Sequence, residues 1–166
     1  SEDDITDYDT NFKMNPPLRA EADRVALLVG LEDGTIDCIA TGHAPHTNYE
    51  KDVEFDYAPF GVIGLETALA ATLVQLYHSK RLSLSGTLSL LTHRASEVLN
   101  LNKGTLGIGA DADIAIFDPE LEWTPNVDSF LSKSANSPWI GRPLKGKTIK
   151  TLVSGKLVYD NGQILK

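Results

Sequence analysis

The run Ile36-Asp37-Cys38-Ile39-Ala40-Thr41 narrows the architecture more than any other segment. It is short, mostly apolar and rich in β-branched residues. A strand on a half-exposed sheet alternates polar and apolar residues, whereas one that is apolar throughout suits a parallel sheet covered on both faces. A helix is predicted before it over Glu21–Leu31, with Val25, Leu28 and Val29 on one face and Gly30 and Gly34 near its end. Another is predicted after it, where Leu65, Leu69, Leu73 and Leu76 recur at helical spacing and Ala68, Ala70 and Ala71 let backbones approach. Two shorter helices follow, Leu84–Leu91 and Ala95–Leu99, with Thr92 as a candidate N-cap for the second. Asn11–Met14 reads as a short strand stopped by Asn15-Pro16-Pro17, since two prolines remove ladder donors.

From Asn102 the pattern changes. Gly104, Gly107 and Gly109 punctuate the chain ahead of a short strand, Ile114–Phe117. Hairpins are predicted over Ile149–Val153, Lys156–Tyr159 and Gln163–Leu165, with Ser154-Gly155 and Asn161-Gly162 as turns. The expected organisation is an α/β part over residues 1–101 and a β-rich part over 102–166.

At 166 residues the chain has one domain's worth of length, yet a (β/α)8 barrel typically takes ~250 residues. Hydrophobic residues at 42% and charged residues at 23% exclude the disordered and collagen-like classes. No apolar run approaches the ~20 residues of a membrane span, and no signal-peptide core is visible. A single cysteine, Cys38, forbids an internal disulfide and is expected to be inert packing. The net charge of −8 weighs against nucleic acid or an anionic membrane as partner. Five carboxylates in the first ten residues read as a solvated end, and Ser1 is not expected to be an unprocessed start, Met14 being the sole methionine.

The densest chemistry is Thr41-Gly42-His43-Ala44-Pro45-His46-Thr47, at the carboxyl end of the apolar strand, where α/β folds keep their sites. Two imidazoles three residues apart can bind a metal, shuttle protons or hold a carboxylate. They can equally cap loops by bonding to backbone, and His-x-x-His alone does not decide. Asn15 offers an amide suited to an amide or imide edge, or it ends a strand in an ordinary turn. Phe60-Gly61 allows close backbone approach to a ligand, or it merely precedes a helix. His78 and His93 read as surface or helix-end residues. Neither a phosphate loop nor a Gly-x-Ser-x-Gly elbow is present.

Several runs together resemble the bacterial-type dihydroorotases of the amidohydrolase superfamily. They are Tyr8-Asp9-Thr10-Asn11-Phe12-Lys13-Met14-Asn15-Pro16-Pro17-Leu18-Arg19, Asp33–Thr41, Ala58-Pro59-Phe60-Gly61 and Gly64-Leu65-Glu66-Thr67. Gly104-Thr105-Leu106, Ala110-Asp111-Ala112-Asp113 and Gly141-Arg142-Pro143-Leu144-Lys145-Gly146 extend the likeness to the tail, in collinear order. The resemblance implies a TIM-like (β/α)8 metal-dependent hydrolase barrel with a small β-sandwich domain. It also implies a cytoplasmic enzyme with one or two zinc ions that interconverts N-carbamoyl-L-aspartate and L-dihydroorotate in pyrimidine synthesis. Carried over by motif, Asn15 would contact the substrate ring, His46 would help hold its carboxylate, and Phe60 and Gly61 would line the pocket through backbone groups.

Two departures stand out. The family's word is Thr-Asp-His-Ala-Pro-His, and Gly42 occupies the position of its metal-binding acid/base aspartate. The family's remaining metal ligands would all precede Ser1, so no metal ligand is expected within this chain. The chain therefore resembles the last two strand–helix units of the barrel plus the C-terminal segment of the β-domain. The N-terminal remainder of the barrel is the expected partner, and strongly impaired turnover is expected of Gly42. A second expectation is a non-catalytic subunit that scaffolds a partner such as aspartate carbamoyltransferase.

Overall fold

A computed structural model describes all 166 residues, which form two compact units interleaved along the chain. The first comprises Ser1–Ile36, Thr41–Ala68 and Thr124–Pro143; the second comprises Asp37–Ala40, Leu69–Trp123 and Leu144–Lys166. The second unit runs across Asn102 without a break.

The first unit contains helix α1 (Glu21–Glu32) and the single turn α2 (Asn48–Lys51). α1 forms where expected, with Glu21 and Asp23 in the first turn, favoured by the helix dipole, but of the expected apolar face only Leu28 is buried, together with Gly30, while Val25 and Val29 are exposed. Gly30 is there for space, because a Cβ would come within 3.0 Å of Ile36 Cδ1. α2 begins with a capping box in which Thr47 and Glu50 satisfy each other's main-chain N–H groups. Residues Asn11–Met14 are not a strand: Thr10–Phe12 is a turn of 3-10 helix started by the Asp9 side chain, which accepts from Asn11 N. The Asx geometry of Asp9 competes with extended backbone and wins locally.

Helix α3 (Ala68–Thr72) starts later than the leucine spacing suggested, and it passes into a π-helical stretch over Leu73–His78. Leu65 lies in the turn before it and is exposed. In the second unit, Leu73, Leu76, Leu90 and Leu144 are almost completely buried. Helices α4 (Leu84–Ser89) and α5 (His93–Val98) fall where expected. Ser83 caps α4 by accepting from Gly86 N, but Thr92 does not cap α5 with its side chain. Its hydroxyl instead donates to Leu88 O at 2.8 Å.

The expected parallel strand over Ile36–Thr41 does not form a ladder. A strand exists only by pairing, and the main-chain bond made here in the second unit is Ile39 N to Leu90 O at 3.0 Å. Cys38 and Ile39 are half-buried rather than enclosed on two faces.

The strands that do form are an antiparallel meander in the order β1 (Ile114–Trp123), β2 (Leu144–Val153), β3 (Lys156–Asp160), β4 (Gln163–Ile164). Ser154-Gly155 and Asn161-Gly162 all have positive φ, the geometry of two-residue turns whose twist matches the strands they join. β1 is longer than its apolar run because an irregularity between Asp118 and Glu122 absorbs Pro119. Pro119 O accepts from His78 Nε2 at 2.9 Å. β2 lies against the π-helical stretch at Gly146, where an added Cβ would come within 2.4 Å of Leu73 Cδ1.

Two measurements check this packing. Gly146→Ala should destabilise by about 1–3 kcal/mol in chemical unfolding, because Leu73 has no free space into which to move. Thr87 is fully buried with an unpartnered hydroxyl, so Thr87→Val should match or exceed the parent stability by up to about 1 kcal/mol.

Candidate functional site

The residues singled out from the sequence come together within the first unit, on two irregular loops and the segment before α1. One loop is Thr41–Thr47 and the other Phe60–Gly64. Their backbones are hydrogen-bonded directly, Ala44 N donating to Val62 O at 2.9 Å. Two glycines let them touch. Gly61 has φ +113, and a Cβ on it would lie 2.5 Å from Ala44 Cβ. A Cβ on Gly64 would lie 2.3 Å from Gly42 O. Gly61 is thus a close-approach glycine, not a residue that introduces a helix. Its N–H donates to Lys13 O at 2.9 Å, which brings the Asn15 segment alongside. Asn15 itself is exposed, and its peptide bond to Pro16 is cis.

The histidines take up backbone partners. A carbonyl only accepts, so the 3.1 Å contact of His46 Nε2 with Phe60 O puts the proton on Nε2. His46 Nδ1 faces Glu50 Oε2 at 3.9 Å. Bonds from the Thr47 main-chain N–H and hydroxyl hold the Glu50 carboxyl below its usual range. His43 Nδ1 accepts from Gly64 N at 3.3 Å, which leaves Nε2 to approach the Ser132 hydroxyl at 3.5 Å. Ser132 in turn donates to Glu66 Oε1 at 2.5 Å, and Glu66 also accepts from the N–H groups of Leu131 and Ser132.

Two buried lysines brace the surroundings. Lys13 Nζ donates to Phe55 O and Asp56 O at 2.7 and 2.9 Å, and lies 4.7 Å from the centroid of the exposed Phe60 ring. Lys51 Nζ donates to Thr10 O and Pro59 O at 3.0 and 2.9 Å. Burial pushes the Lys51 ammonium below its usual pKa, with the Lys13 charge acting the same way. At the other end of the segment, Arg142 stacks on Phe12 at 4.8 Å and pairs with Asp4.

Gly42 is exposed and stands in open space, with no atom within 4 Å of an added Cβ and an ordinary φ. It offers no donor to a metal, and each neighbouring histidine has one ring nitrogen on backbone and the other toward a side chain, Ser132 for His43 and Glu50 for His46. Nowhere in the 166 residues do three His, Cys, Asp or Glu side chains converge in a way that could hold a metal ion. The residues present do not fit a zinc site.

Asn136, Ser132, Ser134 and Glu66 were not picked out as site residues. Ser132–Pro138 is a polar, aperiodic stretch that reads as a plain loop, and its partners are 66 to 92 positions distant. Two neighbouring amide or hydroxyl residues ahead of Ser137-Pro138 were the available signal.

Residues 12–158 match the amidohydrolase family, and the chain belongs to it. Within that class its likeness is to proteins named dihydroorotase. The one from Anaplasma phagocytophilum (strain HZ) is 49% identical over 159 residues, covering 96% of this chain and 35% of that protein. The one from Clostridioides difficile (strain 630) is 48% identical over 160 residues, covering 96% and 38%. Among solved structures, the L-hydantoinase (dihydropyrimidinase) of Arthrobacter aurescens superposes with a TM-score of 0.92 at 29% identity, over 100% of this chain and 38% of that one. The fold is accordingly of the α/β, TIM-barrel-type amidohydrolase kind. The chain spans little more than a third of the length of these proteins.

The two loop glycines should respond oppositely to the same substitution. Gly61→Ala should cost about 1–3 kcal/mol, since it combines a left-handed backbone with a clash on Ala44. Gly42→Ala should leave the unfolding midpoint within about 0.5 kcal/mol of the parent, as surface changes away from packed contacts do.

Proposed function

We propose that this chain is the C-terminal portion of a dihydroorotase, a metal-dependent hydrolase of cyclic amides acting on L-dihydroorotate and N-carbamoyl-L-aspartate. In this reading residues 1–101 supply the last two strand–helix units of the barrel and residues 102–166 the C-terminal segment of the composite β-sandwich domain. The observation that carries it is the contact of His46 with Phe60 and of Gly61 with the segment that leads to Asn15, in a chain about half identical to proteins of that name. Asn15 would meet the substrate ring with its exposed amide, and His46 the carboxylate. Phe60 and Gly61 would form the wall through their main chain. Zinc is the metal that the dihydroorotase reading implies for the complete protein. Its ligands would come from the N-terminal remainder of the barrel, because this chain's own residues do not offer a set.

The exposed apolar face of α1 supports a larger surrounding structure. Val25 and Val29, one helical turn apart, are 40% and 47% exposed, and Leu27 is 55% exposed. The half-buried segment Ile36–Thr41 supports it too, since its apolar residues suit neighbours on both sides.

Gly42 stands where the family carries an acid/base aspartate, and such a group is worth roughly 10²–10⁴-fold in rate. Turnover is therefore strongly impaired with glycine there. The complete protein assayed with zinc should convert N-carbamoyl-L-aspartate slowly, and Gly42→Asp should raise the rate by about 10²-fold or more, since the side chain meets no obstruction. Full turnover with Gly42 in place would refute the impairment. Mass measurement of the native material with a search for a co-purifying N-terminal piece tests the fragment reading, and a lone 18.0 kDa monomer would count against it.

Gly42 also favours a second reading, a non-catalytic dihydroorotase-like subunit bound to aspartate carbamoyltransferase. Co-purification with the transferase, joined to absent activity in the Gly42→Asp form, would select it.

A further inference from the structure

Asn136 is 5% exposed and touches both loops at once. Its Oδ1 accepts from the main-chain N–H of His46 at 3.0 Å. Its Nδ2 donates to Ala44 O at 2.9 Å and to Gly61 O at 3.3 Å. The amide orientation is fixed by these partners, because the oxygen faces a donor while the nitrogen faces two acceptors. The residue's own carbonyl accepts from Ile63 N at 3.0 Å, which ties it again to the second loop. Two residues earlier the Ser134 hydroxyl donates to His46 O, so His46 is held on both its main-chain N–H and its carbonyl by one segment.

We propose that Asn136 is a positioning residue of the candidate site: its side-chain amide sets the spacing between His46 and the Phe60-Gly61 main chain. The role rests on the dihydroorotase reading for its substrate, and on geometry alone for the positioning. Neither loop belongs to a strand ladder, and the glycine contact at Ala44 limits only how close they come. Asn136 adds to the direct Ala44 N–Val62 O bond the side-chain restraint that ties His46 and Ala44 to Gly61 and keeps the loops from parting there. The same restraint preserves the His46 Nε2 bond to Phe60 O, which sets the imidazole plane. No other common side chain repeats the pattern. Aspartate would turn an oxygen toward two carbonyls, leucine would leave one N–H and two carbonyls without partners, and glutamine is one methylene too long for the space.

The test uses the complete protein and three readouts. L-Dihydroorotate binding is measured by calorimetry, the His46 imidazole is followed by its 15Nε2 resonance, and the His46 main-chain amide by hydrogen exchange. Asn136→Asp is expected to raise Kd tenfold or more, move the Nε2 resonance and speed amide exchange at least tenfold. Ser137→Ala serves as control: it removes a buried hydroxyl that accepts from Trp139 N and touches neither loop. It should lower Tm and leave Kd within twofold. A folded Asn136→Asp protein that binds within twofold of the parent overturns the assignment. So does a Ser137→Ala protein whose binding falls as far as its stability. Should Asn136→Asp not fold, Asn136→Ala removes the amide without adding charge and is read by the same thresholds. If the parent does not bind L-dihydroorotate, the functional reading fails by itself. The two His46 signals then decide alone: unchanged resonance and exchange overturn the positioning role, and shifted ones uphold it.

Discussion

The first unit depends on two irregular loops pressed together until their backbones meet. Buried main-chain groups need partners, and a loop that belongs to no sheet must find them individually. Here they come from the opposite loop and from polar side chains that reach in. Ala44 N finds Val62 O, and the Asn136 amide serves His46, Ala44 and Gly61. Lys13 and Lys51 each serve two carbonyls. The cost of burying these ammonium groups is offset by charge-assisted bonds, and the lowered Lys51 pKa is its visible trace. Glycine at 61 and 64 is the condition for all of it, since any larger residue holds the loops apart.

The second unit is held by different means. Two-residue turns join β2 to β3 and β3 to β4, so that part of the sheet is set by short-range geometry, whereas β1 pairs with β2 across the long segment 124–143. Leu73, Leu76, Leu90 and Leu144 form its apolar centre, and removing such side chains from water contributes roughly 1.5–3 kcal/mol each. The π-helical stretch carries two of these leucines, and Gly146 lets the sheet come down on one of them.

Legibility in the sequence follows the same division. α1, α4, α5 and the hairpin turns were readable because their signals are local, helical spacing for the helices and Asn161-Gly162 for a turn, although the cap expected of Thr92 does not form. The segment Ile36–Thr41 was read as a paired strand from its composition, but composition does not supply a pairing partner, and no ladder forms there. Asn11–Met14 was misread because an Asp9 side chain bond to Asn11 N favours a turn over extended backbone. Asn15, His46, Phe60 and Gly61 were found through collinear words, not through their chemistry, and the structure brings their segments together. One nitrogen of each histidine meets backbone and the other a side chain, an arrangement their spacing alone did not reveal. Asn136 escaped notice because its partners are about ninety residues away, and nothing local marks an amide that will be buried.

The open space at Gly42 bears on how such a position changes over generations. A residue embedded in packing cannot be lost without a penalty in folding, so selection for a stable chain guards it. At Gly42 an added Cβ would press on nothing among these residues. The packing of the loop therefore exerts no pull on this position toward glycine or alanine. Exchange between the two is silent to the way the loops hold together, and the scaffold does not record which of them stands there.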